Sequence, residues 1–205
     1  MTHNFTFCYD FTGLQSFPEL ELSPLITTAD WAIHSCNGKE YNFNLARIGF
    51  IFEDENGNII PPHRLQKISQ AEEKSGALHS RFTVDGELCN VRTTICKDSC
   101  TIEVIAECPL IKSDRMYVNI ALPYPSHEPG GSDWLADDKH QSQLYHITEA
   151  GDAEFNESTV ERNMNDMRLN VSIKAKNSRI GHRLTHKYFI KSNDEILHAF
   201  ISFKQ

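Results

Sequence analysis

The sequence predicts an all-β protein, a large antiparallel two-sheet sandwich with minor helix. Three observations carry that reading. Apolar and polar residues alternate with period two in successive short runs, the spacing that puts neighbouring side chains on opposite faces of a strand. Turn-forming pairs, among them Asn56-Gly57 and Asp85-Gly86, punctuate the runs. No stretch carries a convincing apolar stripe at helical spacing.

The elements follow in order. Residues 46–52, ARIGFIF, form a strand, and EDENGNII turns back at Asn56-Gly57 into a second. Pro61-Pro62-His63-Arg64 is a rigid turn, with Arg64 as a polar anchor. Residues 77–84 and 87–95 are two strands joined by Asp85-Gly86, whose tolerance of positive φ suits a tight hairpin. Strands at 101–107, 116–122, 143–148, 168–175, 183–190 and 195–203 bring the total to about ten. Helix is expected only in short pieces near 67–74 and 159–167. No repeat, low-complexity tract or linker divides the chain, so residues 1–205 are expected as one sandwich domain. Phe50, Phe52, Phe200 and Phe203 lie on the 46–52 and 195–203 strands. One subset must face the core, and an outward remainder would form an apolar face through which copies self-associate.

The chain has 205 residues, of which 40% are hydrophobic, and a net charge of −8. It can build a substantial core. An acidic chain without a basic run is a poor partner for nucleic acid or an anionic membrane surface. No apolar run approaches the ~18–20 residues of a membrane-spanning helix. The opening MTHNFTFCYDF lacks the basic-then-apolar pattern of a signal peptide. Location stays open: cytoplasmic, or periplasmic or secreted if the natural N-terminus lies further upstream.

Six cysteines, Cys8, Cys36, Cys89, Cys96, Cys100 and Cys108, are too sparse for a disulfide framework and contain no C-x2-C knuckle. They read as small buried apolar residues, with a Cys96–Cys100 bridge across a short turn as the alternative. Asn4, Asn156 and Asn170 open glycosylation triplets. There is no phosphate-cradling loop, no G-x-S-x-G elbow and no metal-binding histidine pair, so no metal or cofactor is expected. Glu53, Asp54 and Glu55 read as a solvated rim around a turn. Acid–base chemistry would need a carboxylate and a histidine, for which His79, His140, His146, Glu103 and Glu107 are available without a spacing that selects a pair.

The connection after the 116–122 strand is long, with three prolines and Gly130-Gly131. It carries Asp133 beside Trp134, then His140. An indole can stack on a sugar ring while a carboxylate accepts hydrogen bonds from its hydroxyls. The plainer alternative is that Trp134 anchors the loop on the sandwich and Asp133 caps a turn.

Leu122-Pro123-Tyr124-Pro125, Asp133-Trp134 and Lys139-His140 together resemble a stretch in the N-terminal β-domain of six-hairpin glycosidases related to glycoside hydrolase family 65. ARIGFIF, GALHSRFTVDGELCNVRTTI and VERNMNDMRLNVSI are similar to further pieces of that domain, and the likeness covers residues 30–203. Leu122 stands where the family motif opens with Phe. The resemblance implies the β-supersandwich, or galactose-mutarotase-like, fold. It implies a partner as well, an (α/α)6 barrel that holds the catalytic acid and follows the β-domain in the same chain. The sequence ends at Gln205, after the expected last strand, so the expectation is a non-catalytic domain from a longer glycoside hydrolase or phosphorylase. Asp133, Trp134 and His140 would then contribute a loop to the carbohydrate cleft. The alternatives are a free-standing carbohydrate-binding module and a mutarotase-type aldose epimerase.

Overall fold

The structure, a computed structural model, describes residues 25–29, 32–36, 39–43, 46–96, 99, 101–125, 132–133, 141–147, 154–164, 167–184 and 186–204. The strands are β1 (Leu25–Ala29), β2 (Ala32–Cys36), β3 (Lys39–Phe43), β4 (Ala46–Phe52), β5 (Gln66–Glu72), β6 (Leu78–Val84), β7 (Glu87–Cys96), β8 (Thr101–Glu107) and β9 (Met116–Ala121). They continue with β10 (Tyr124–Pro125), β11 (Ser132–Asp133), β12 (Gln141–Ile147), β13 (Phe155–Met164), β14 (Met167–Lys176), β15 (Ser178–Leu184), β16 (Lys187–Ser192) and β17 (Ile196–Lys204). The α-helical turn α1 (Pro109–Lys112) links β8 to β9.

Two sheets dominate. The large one has eight strands in the order β12-β13-β14-β17-β8-β7-β6-β5, and the small one five in the order β1-β4-β9-β16-β15. Neighbouring strands are antiparallel in both. The expected all-β sandwich is therefore the observed one. Strands β5 to β8 form one meander and β12 to β14 another, and β17 closes the sheet by inserting between them. The last long strand thus brings residues distant in sequence into one row.

Alternation sets the core. β6 and β8 bury every second residue, and the inward Phe82, Val84, Ile102 and Val104 meet Phe50 and Phe52 from β4. Phe52 and Phe82 pack edge to face at 5.8 Å between centroids. Phe203 also points into the core, which leaves Phe200 as the outward phenylalanine of β17. At the β6–β7 turn, Asp85 and Gly86 have φ of 55° and 85°, the paired positive angles of the expected hairpin. Pro62–Arg64 is a 3-10 turn, and Arg64 does act as an anchor, pairing with Asp85 at 3.3 Å.

Both expected helical pieces are strands. Residues 67–74 fall largely in β5, a sheet edge whose side chains are nearly all exposed. Charged and polar residues suit such an edge because they discourage pairing with another chain, and they hide the alternation. Residues 159–164 belong to β13 and residue 167 opens β14, and Val160 and Arg162 of β13 point inward. A buried arginine at a core position masked the pattern. The helix that does form, α1, starts with Pro109 at its first position, where the missing N–H costs nothing.

Candidate functional site on the outer face of the large sheet

The outward residues of β17 are Ile196, His198, Phe200 and Ser202, alternating with the buried Leu197, Ala199, Ile201 and Phe203. In register, Phe200 lies opposite Glu103 of β8, and His198 lies opposite Ile105. On the other side of β8, Thr94 is opposite Glu103 and Arg92 is opposite Ile105. His198 and Arg92 therefore flank Ile105 and reach diagonally to the same carboxylate, within the span of neighbouring strands.

The contacts follow from that register. His198 Nε2 is 2.9 Å from Glu103 Oε1, and Arg92 Nη1 is 3.8 Å from Glu103 Oε2. The carboxylate only accepts, so His198 Nε2 carries the proton in this pair. Arg92 also donates from Nη2 to Glu73 Oε2 at 3.3 Å. That bond, with a further one from Ser75, lowers the pKa of the Glu73 carboxyl below its ordinary value. The Thr94 hydroxyl is shielded from solvent and has no hydrogen-bond partner among the described residues.

An aromatic surface borders these charges. The His198 and Phe200 rings are 4.8 Å apart, and Phe155 of β13 lies 5.8 Å from His198 and 6.2 Å from Phe200. Lys174 of β14 holds its ammonium 5.3 Å above Phe155. The side chains of Glu103 and His198 are 23% and 26% exposed, so water and a small ligand reach both. A carboxylate, an imidazole and a guanidinium beside an apolar ring surface can bind a polyhydroxylated ring, and the Glu–His pair can pass a proton.

The residues expected from the sequence distribute differently. Asp133 lies in β11, paired in backbone register with Tyr124, so the long connection contains a small hairpin. Trp134 and His140 lie outside the described residues. Of the acid–base types, Glu103 is in the constellation and Glu107 lies at the far end of β8. His79 is exposed on β6, opposite Arg92. His146 bonds Ser158 Oγ through Nδ1 at 2.9 Å, away from Glu103. Phe200 was expected only as a candidate for an outward apolar face, and the sequence did not point to His198, Arg92 or Phe155. Alternation alone placed His198 and Phe200 on one face, but nothing local said that β8 and β13 residues would join them.

A buried polar cluster marks where the long connection returns to the sheet. Ser142 Oγ is 2.7 Å from His186 Nδ1 and accepts from Tyr188 at 2.5 Å. Arg162, fully buried, donates to the Pro123 carbonyl. Burial pushes the Arg162 guanidinium pKa down and the Tyr188 phenol pKa up. These groups tie β12, β13 and β16 to the start of the connection. Among the described residues no group of three or more His, Cys, Asp or Glu side chains could hold a metal ion. The chain matches no protein-family model and no curated protein.

Proposed function

We propose that this chain is a carbohydrate-handling β-domain of a glycoside-active enzyme, with a sugar held against the outer face of the large sheet. The observation that carries the reading is the Phe155–His198–Phe200 ring surface beside Glu103 and Arg92. A pyranose presents apolar C–H faces and a rim of hydroxyls, and this surface offers rings for the one and charged hydrogen-bonding groups for the other. The resemblance to six-hairpin glycosidase β-domains supports the same reading. In that setting the domain braces a helical catalytic barrel, and the 126–139 connection with Asp133 and Trp134 reaches toward the cleft. A second reading, aldose epimerisation, draws on Glu103 and His198 together on one face, a pair that would have to part from its 2.9 Å contact to flank an anomeric centre. A carboxylate and an imidazole are the two groups needed to move protons at an anomeric centre.

Amide NMR titration with a panel of monosaccharides tests the proposal. Saturable shifts are expected at residues 92, 103, 155, 198 and 200 with millimolar affinity. Phe200→Ala should weaken binding about 3–10-fold through loss of ring contact. Shifts absent from this face, or unaffected by Phe200→Ala, would sink the reading. Polarimetry on freshly dissolved aldoses separates the two versions, since accelerated mutarotation lost in Glu103→Gln and His198→Gln would establish the epimerase.

A further inference from the structure

Cys89 and Cys108 take no part in the constellation on the outer face. Cys89 is an inward residue of β7, and Cys108 directly follows the last residue of β8. In the β7–β8 ladder Asn90 is opposite Glu107, so Cys89 and Cys108 occupy the next opposing position. Opposing residues of an antiparallel pair have Cα atoms about 4.5–5.5 Å apart, within the span of a disulfide. The side chains turn toward each other, with the two thiol sulfurs 2.9 Å apart. Both residues are buried, at 0% and 1% exposure, within the core cluster. Packing as small apolar side chains does not require two of the six cysteines to meet across one ladder.

We propose that Cys89 and Cys108 form a covalent cross-link site, closing to a cross-strand disulfide when the chain folds in the presence of a disulfide oxidant such as oxidised glutathione. The thiolate of either cysteine attacks one sulfur of oxidised glutathione and expels one glutathione thiolate, leaving a mixed disulfide. The other cysteine then gives its proton to a base in solution, attacks the protein sulfur of the mixed disulfide and expels the second glutathione thiolate. Two electrons and two protons leave the cysteine pair, and the oxidant is reduced to two glutathione thiols. Both sulfurs are out of water in the folded chain, so exchange takes place before the sheets close on each other. The finished bond is then shielded from reductant. It ties the β7–β8 hairpin into a loop of roughly 20 residues, restricting the unfolded chain.

The full chain, reduced in denaturant, is refolded in parallel with oxidised glutathione and with excess reductant. Each sample is denatured without reductant, alkylated with N-ethylmaleimide, digested and mapped by mass spectrometry. The oxidised sample should yield the Cys89 and Cys108 peptides as one linked species, and the reduced sample should yield both alkylated. The oxidised protein should melt roughly 5–10 °C higher. In Cys89→Ala the linked species and the redox dependence of melting should both disappear. Complete alkylation of both cysteines in the oxidised sample, or linkage of either to a different cysteine, would overturn the proposal. Should Cys89→Ala fail to fold, the wild-type peptide map decides by itself.

Discussion

The outer faces of the two sheets carry similar groups around differently exposed rings. On the small sheet, Tyr117 of β9 is 1% exposed although it points away from the core. Its phenol donates to Glu53 Oε1 at 2.6 Å, and Arg183 bonds the phenol and approaches the same carboxylate at 3.4 Å. Lys191 lies 4.3 Å above the Tyr117 ring, and the Phe189 ring presses on the backbone at Gly181 so closely that it leaves no room for a Cβ there. The phenol is shielded from solvent, while the Arg183 side chain stays 40% exposed. Glu53, expected as a solvated rim residue, is instead its acceptor, with a side chain 18% exposed. On the large sheet, Glu103, His198 and Phe200 form a comparable set of acid, base and ring, with the acid and base 23% and 26% exposed and the ring partly exposed. A ring held out of water beside a carboxylate serves the fold. A ring left partly exposed beside one can serve a ligand.

Three experiments sharpen or break that contrast. The largest effect is expected from Tyr117→Phe, which removes the phenol hydroxyl from Glu53 and Arg183 in a shielded place. It should destabilise the chain by about 1–3 kcal/mol, read as a lower denaturant midpoint. Stability unchanged by this substitution would mean that the small-sheet cluster is as solvated as the other.

The next effect is one of pH. Burial first, and then the hydrogen bond to Glu53 and its charge, raise the Tyr117 pKa above the ordinary phenol value of 10.0. A phenol that keeps its proton longer in the folded chain contributes stability that is fully present below pH 10. That contribution is lost as pH rises through the raised pKa, because the unfolded chain then binds fewer protons. The stability gap between the wild-type chain and Tyr117→Phe should narrow as pH rises above about 10. The burial-raised Tyr188 is common to both chains and cancels. Urea titrations across that range would refute the assignment if the gap stayed constant or widened.

The smallest effect is expected from Glu103→Gln. The pair with His198 is partly exposed and reached by water, so its loss should cost no more than about 1 kcal/mol. A cost equal to that of Tyr117→Phe would make the open cluster a structural one, and the contrast between the faces would fail.

Much of the fold was legible locally. Asp85-Gly86 demanded a tight hairpin because few residue pairs accept two positive φ values. The runs now seen as β6, β7, β8 and β17 alternate cleanly because one face meets the core and the other meets solvent, whereas β9 buries Tyr117 on its outer face as well. The pattern failed where that contrast is absent. β5 is exposed along nearly its whole length, and β13 buries Arg162 where alternation calls for an apolar residue. Short β10 and β11 hold too few residues for any period to show.

The candidate site was legible only in fragments. By itself, the sequence determined that His198 and Phe200 share a face, that Glu103 shares one with Ile105, and that Arg92 shares one with Thr94, since side chains alternate on any strand. Which strands became neighbours was decided by tertiary structure. The insertion of β17 between β14 and β8 brings residue 198 to residue 103, and hydrogen-bond register places them diagonally. The same kind of decision put Cys89 opposite Cys108 and sealed Tyr117 over Glu53. Period two assigns each residue to a face using nothing beyond its own strand. Pairing between distant strands depends on the combined burial of two whole sheets, a sum that no local window contains.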